Sequence, residues 1–152
     1  MTLSICLDEF ELILAAAAAH KCNYYAWEHA RYCIKETNQL PAVILEAVVD
    51  FARKNVTDSS VFSFLLFYAN FHRNLAEKIY FSLGDELVEL YPQNRIIWTF
   101  RYSLLRMDST ASMKSELDLF RRLFDSTNDL VFGKYHEKRI ICFQTTQSTT
   151  PV

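Results

Sequence analysis

Two glycines and three prolines are all that punctuate 152 residues, half of them hydrophobic. Strand-rich folds need turn residues at the end of nearly every strand, so a chain this poor in them is expected to be all-α. Helices are expected over about 6–19, 24–35, 41–53, 61–69, 73–91, 95–106, 113–124 and 128–142. Ala15 to Ala19 is an excellent helix former, Pro41 suits a first helical turn, and Asp58 or Ser59 is placed to cap the fourth helix. Leu75, Ile79, Leu83, Leu87 and Leu90 recur at three or four residues through the fifth, with Gly84 between Ser82 and Asp85 as a point of interruption. Pro92 ends it, because the residue before a proline avoids the α region. The segment Lys138 to Phe143, "KRIICF", reads equally well as a strand. The polar stretch 144–152 is expected to be a disordered tail.

The strongest internal signal is an echo. Asn23-x-x-x-Trp27 returns as Asn94-x-x-x-Trp98, and a weaker copy falls between them, with Ser60 at the Asn position and Phe64 at the Trp position. Each copy follows a longer helix and opens a shorter one. The expected domain therefore covers 1–143, with helix pairs over about 6–36, 41–69 and 73–106 and further helices over 113–143. In this scheme the Asn or Ser caps the second helix of a pair, and the aromatic four residues on fills the gap between neighbouring pairs. Arg31 and Arg101 follow one turn later, where an arginine sits over the ring or pairs with a carboxylate.

Charge and composition exclude several functions. A net charge of −2 and a pI near 6.1 give no general attraction to nucleic acid or an anionic membrane. Cys6, Cys22, Cys33 and Cys142 include no C-x-x-C pair, and acidic Asp8, Glu9 and Glu11 precede the apolar run Leu12 to Ala19 where a leader would be basic. That run is too short to span a bilayer, so reduced thiols in a cytoplasmic protein without an integral membrane segment are expected. The sequon Asn55-Val56-Thr57 is then a chance match. His29 and Cys33 share a helix face at i and i+4, with Cys22 nearby, but a structural zinc wants four ligands, and no metal site is expected. No catalytic triad order, phosphate loop or H-E-x-x-H is present, so no catalytic residue is assigned. Asp85, Glu86 and Glu89 read as a solvated helix face. Tyr24, Tyr25 and Tyr32 form a denser polar-aromatic group than a core requires and suggest a partner surface.

The run Pro92 to Arg101, P-x-N-x-x-x-W-x-x-R, and the run Asn23 to Arg31, N-Y-x-A-W-x-H-x-R, resemble the repeats of protein prenyltransferase α-subunits and their α-like relatives. Val56 to Phe64 looks like a degenerate copy. The resemblance covers roughly 9–106 and, more weakly, 113–143. It implies an α-α superhelix of antiparallel helix pairs, similar to a tetratricopeptide solenoid, that curls around a zinc-bearing catalytic β-subunit. Cys22, Asn23, Tyr24 and Tyr25 would face the isoprenoid diphosphate. Cys22 stands where family members carry a lysine, which implies a supporting rather than catalytic role. The expected function is that of an α-like subunit of a protein geranylgeranyltransferase, scaffolding the β-subunit and presenting the protein substrate. The alternative is a free-standing helical-repeat adaptor. About three repeats are present where full α-subunits carry more, so a fragment or truncated paralogue is also expected. An isolated three-pair solenoid would expose an apolar end face and dissolve poorly alone.

Overall fold

The computed structural model describes residues 3–38, 41–72, 79–107 and 113–124. Seven α-helices occupy them, and no strand occurs among the described residues: α1 (Leu3–Ala19), α2 (Tyr24–Thr37), α3 (Ala42–Lys54), α4 (Ser59–Phe71), α5 (Asp85–Leu90), α6 (Arg95–Met107) and α7 (Met113–Phe124). The expected helix over 128–142, its strand alternative and the polar tail lie outside the described residues. So does the first part of the helix expected from 73. Its remainder is a π-helical turn, Tyr80–Gly84, that runs directly into α5. Gly84 has ordinary right-handed helical angles (φ −65°, ψ −43°), so the helix widens there instead of breaking.

Three four-residue turns connect α1 to α2, α3 to α4 and α5 to α6, and each ends in Asn or Asp: Asn23, Asp58 and Asn94. The side-chain oxygen of each accepts a backbone N–H from the helix it opens: Ala26 at 3.2 Å, Ser60 at 2.9 Å and Ile96 at 2.9 Å. A cap of this kind is worth about 1 kcal/mol. The turns before α4 and α6 close further with Asp58 N–H on Asn55 O (2.8 Å) and Asn94 N–H on Tyr91 O (3.0 Å). The α1–α2 turn instead places Cys22 in the left-handed region (φ 58°).

These caps correct the middle copy of the motif. Asp58, not Ser60, caps α4, and Ser60 gives its N–H to Asp58 from inside the helix. The caps are then 35 and 36 residues apart, and the aromatic four residues on is Phe62, not Phe64. Phe64 takes a different place, six residues after its cap, as Phe100 does in α6. The core exploits both positions. Trp27 of α2 packs on Phe64 of α4 at 5.1 Å between centroids, and Phe62 of α4 packs on Phe100 of α6, also at 5.1 Å. One aromatic of each pair thus meets the offset aromatic of the next, a contact worth about 0.5–1.5 kcal/mol beyond area burial. Trp98 closes the series edge-on against Phe120 of α7 at 5.0 Å.

Within the described residues α1 packs on α2 and α3, α3 on α4, and the π turn and α5 on α6; α2, α4 and α6 stand side by side in that order. Trp27, Phe62, Phe64, Trp98 and Phe100 are all buried between these layers. Burial also raises the Tyr68 hydroxyl above its ordinary pKa, since a phenolate would lose hydration there.

Candidate interaction surface

The cap residues do more than open helices. Asp58 is 1 % exposed, and while Oδ1 holds Ser60 through both its N–H and its hydroxyl, Oδ2 accepts Cys22 N–H at 3.0 Å from the turn of the preceding pair. Asn94 reaches back likewise, donating from Nδ2 to Val56 O at 2.8 Å. Asn23 has only its own pair to serve and donates to Ala16 O at 3.1 Å. The three turns are therefore stitched together along one edge of the fold.

The arginines brace different neighbours. Arg101 is buried, at 3 % exposure, and bonds Glu116 of α7 at 2.7 Å, itself 3 % exposed, and Asp85 of α5. Arg31 is half-buried, pairs with Glu28 on its own helix, donates to Ser63 Oγ at 2.7 Å and lies 5.7 Å from the Phe67 ring centroid. The two are not register equivalents, standing four and three residues after their tryptophans. Asp85, Glu86 and Glu89 are not a merely solvated face, because each reaches another element: Asp85 to Arg101, Glu86 to Arg53 of α3 at 2.9 Å, and Glu89 to Arg122 of α7 at 3.0 Å. The hydrogen bond to Glu86 also raises the Arg53 pKa above its ordinary value.

The outward side of α2, α4 and α6 is the most distinctive surface. Tyr24 is exposed and its hydroxyl meets Ser59 Oγ at 2.8 Å; Tyr25 is 90 % exposed, and Tyr32 is exposed and stacked on His29. His29 in turn meets Glu9 of α1 at 2.8 Å, with Cys33 Sγ 3.9 Å from the same nitrogen. Cys33 is fully buried, and among the described residues no group of three or more His, Cys, Asp or Glu is placed to hold a metal ion. Between α4 and α6 runs a groove of about 280 Å³. Phe62, Leu66, Ile96 and Phe100 form its apolar floor; Ser59, Ser63 and Thr99 form its walls, and Arg95 stands at one end. Small hydroxyl side chains on facing helices leave this space open. Pro92 lies inside the α5–α6 turn, where its carbonyl accepts the Trp98 indole N–H at 2.7 Å.

An all-helical chain of capped, packed helix pairs with an open polar-aromatic face is the class these features define. The chain belongs to the ECM9 middle domain family, whose model matches residues 2–83, more than half of its length. No curated protein and no solved structure matches it. The match corrects the resemblance to protein prenyltransferase α-subunits. It spans α1 to α4 and ends within the π turn, so it holds one clear copy of the Asn-x-x-x-Trp motif and leaves Asn94 and Trp98 outside. The motif that carried the resemblance is a cap followed one turn later by a buried aromatic. Capping a helix and burying an aromatic one turn later serves stacked helix pairs in general, so the combination does not mark one family. The β-subunit partner, its zinc and the diphosphate-facing roles of Cys22, Asn23, Tyr24 and Tyr25 rested on that resemblance alone and lose their basis with it. Among the described residues no helix is long and apolar enough to cross a membrane.

Proposed function

We propose that the chain is a helical-repeat adaptor, an α-α superhelix of antiparallel pairs that binds a partner protein along the outward side of α2, α4 and α6. One observation carries the reading: Ser59, which lines the groove between α4 and α6, also meets the hydroxyl of exposed Tyr24 on α2, so an apolar cleft adjoins an exposed aromatic with a polar tip. Side chains of that type supply large contact area at low ordering cost, and they are enriched where proteins meet. The function then resides in shape and surface, with no chemical step assigned to any residue.

Site-specific photo-crosslinking tests this. With a photoreactive phenylalanine in place of Thr99 or Tyr25, a discrete crosslinked protein is expected in cells. The same group in place of Glu46, exposed on α3, is expected to give none. Equal crosslinking from both positions, or none from either Thr99 or Tyr25, rejects the adaptor reading.

A further inference from the structure

The peptide unit that joins the two residues before each cap carries a hydrogen bond in all three turns, and it does not face the same way in each. In the α1–α2 turn it is Lys21–Cys22, whose N–H goes to Asp58 Oδ2 of the next pair at 3.0 Å. In the α3–α4 turn it is Val56–Thr57, whose carbonyl accepts from Asn94 Nδ2 of the next pair at 2.8 Å. In the α5–α6 turn it is Pro92–Gln93, whose carbonyl accepts the Trp98 indole N–H at 2.7 Å. A planar trans peptide points its N–H and its C=O in opposite directions, so turning one toward a neighbour turns the other away. Relative to Val56–Thr57, the Lys21–Cys22 unit is turned over.

Two further features accompany that reversal. Rotating the peptide between the two central residues of a turn takes the second residue from negative to positive φ, which is the difference between type I and type II turns. Cys22 is that residue and has φ 58°, whereas neither of its equivalents, Thr57 and Gln93, has a positive φ. The left-handed region disfavours a side chain such as cysteine's. The other feature is Trp27, fully buried and with no acceptor for Nε1 among the described residues. Trp98 finds its acceptor on Pro92, two residues before the cap. The matching residue for Trp27 is Lys21, and its carbonyl belongs to the reversed peptide.

Independently of any partner, we infer that the α1–α2 turn is a two-position switch set by the hydrogen-bonding chemistry of residue 58. A carboxylate only accepts, so Asp58 draws the Cys22 N–H toward it. An amide in its place carries a donor on the same side and draws the Lys21 carbonyl instead, as Asn94 draws that of Val56. Either orientation completes one bond between successive pairs. The carboxylate state leaves Cys22 left-handed and the Trp27 indole unpartnered, and the amide state relieves both. Asp58 therefore holds the turn in the less favourable of its two backbone states.

Comparison of Asp58→Asn with the wild type by NMR, both as full chains, tests the switch. The substitution keeps Oδ1 for the α4 cap and changes only the atom that faces Cys22. The wild type is expected to show a strong nuclear Overhauser contact from Lys21 Hα to the Cys22 N–H, because the reversed peptide brings those hydrogens together. In Asp58→Asn that contact is expected to weaken. The Trp27 indole N–H is expected to exchange about fivefold more slowly relative to that of Trp98, the effect of one added hydrogen bond. An unchanged contact, or a weakened one with Trp27 exchange as in the wild type, overturns the inference. Should Asp58→Asn not fold, the converse double change Asn94→Asp with Thr57→Gly decides, glycine being free to take a positive φ. The contact from Val56 Hα to the next N–H is expected to become strong there and to stay weak in Thr57→Gly alone. A weak contact in the double variant, or a strong one in both, overturns the inference.

Discussion

Replacing Asp58 by alanine removes two kinds of bond at once. One is local, the cap on α4, worth about 1 kcal/mol. The other joins successive pairs: without Oδ2 the partly buried Cys22 N–H has no acceptor, at a cost of about 1–3 kcal/mol. The expected loss is therefore about 2–3 kcal/mol, taking the lower part of the second range because Cys22 keeps some solvent contact. With urea slopes of about 1–3 kcal/mol/M for small proteins, the unfolding midpoint followed by circular dichroism falls by roughly 1 M. Asn23→Ala is the matched control, since Asn23 caps α2 but reaches no other pair. Its expected loss is the cap plus the solvent-exposed bond to Ala16 O, about 1 kcal/mol in all. Ser60→Ala separates the hydroxyl contact from the rest. If Asp58→Ala and Asn23→Ala cost the same, the bond to Cys22 contributes nothing and the stitching between turns is not an energetic feature.

Three further outcomes follow from contacts described above. Glu116→Ala leaves the buried Arg101 bonded to Asp85 but without its buried carboxylate, and is expected to cost about 1.5–3 kcal/mol, whereas the double change Arg101→Met with Glu116→Leu costs less; calorimetric melting of both variants checks this. Trp98→Phe is expected to destabilise more than Trp27→Phe by about 1 kcal/mol, because Trp98 Nε1 donates to Pro92 O whereas Trp27 Nε1 is buried with no acceptor among the described residues; urea midpoints of the two variants give the difference. Tyr68 binds its proton more tightly folded than unfolded, so its contribution to stability is complete below pH 10 and is lost as pH rises from there through its folded pKa. Tyr68→Phe is expected to flatten the alkaline fall in stability, and an unchanged slope would contradict the assignment.

Helical character was legible because Gly and Pro are scarce, and both tryptophans were legible as buried positions from their spacing to an Asn. The middle copy was not, for a reason visible in α4 itself. Phe62 and Phe64 are both aromatic and both buried, so hydrophobicity alone permits two registers, and only the geometry of the Asp58 cap decides between them. The inter-turn bonds of Asp58 and Asn94 were invisible because they join residues 36 and 38 positions apart. The groove escaped notice for a similar reason: it arises from small residues on two helices that meet only in three dimensions. Ser59 and Ser63 read individually as ordinary helix-surface residues. The carboxylates of α5 are solvated as their sequence suggests, and only their ion pairs could not be read, because the arginine partners lie on α3, α6 and α7.

The turn-to-turn bonds also bear on how the chain unfolds. A helix pair joined to its neighbour only through side-chain packing can peel away while leaving the neighbour's backbone intact. Here the turn of one pair has a main-chain group held by the cap of the next, so fraying of α4 releases Cys22 as well, and fraying of α6 releases Val56. Loss of order is then coupled to the pair on the N-terminal side of each break, which adds a nearest-neighbour term to repeat cooperativity. A shortened chain ending at residue 83 keeps the acceptor for Cys22 but removes the donor for Val56. Its α3–α4 turn should therefore exchange amide hydrogens faster than its α1–α2 turn.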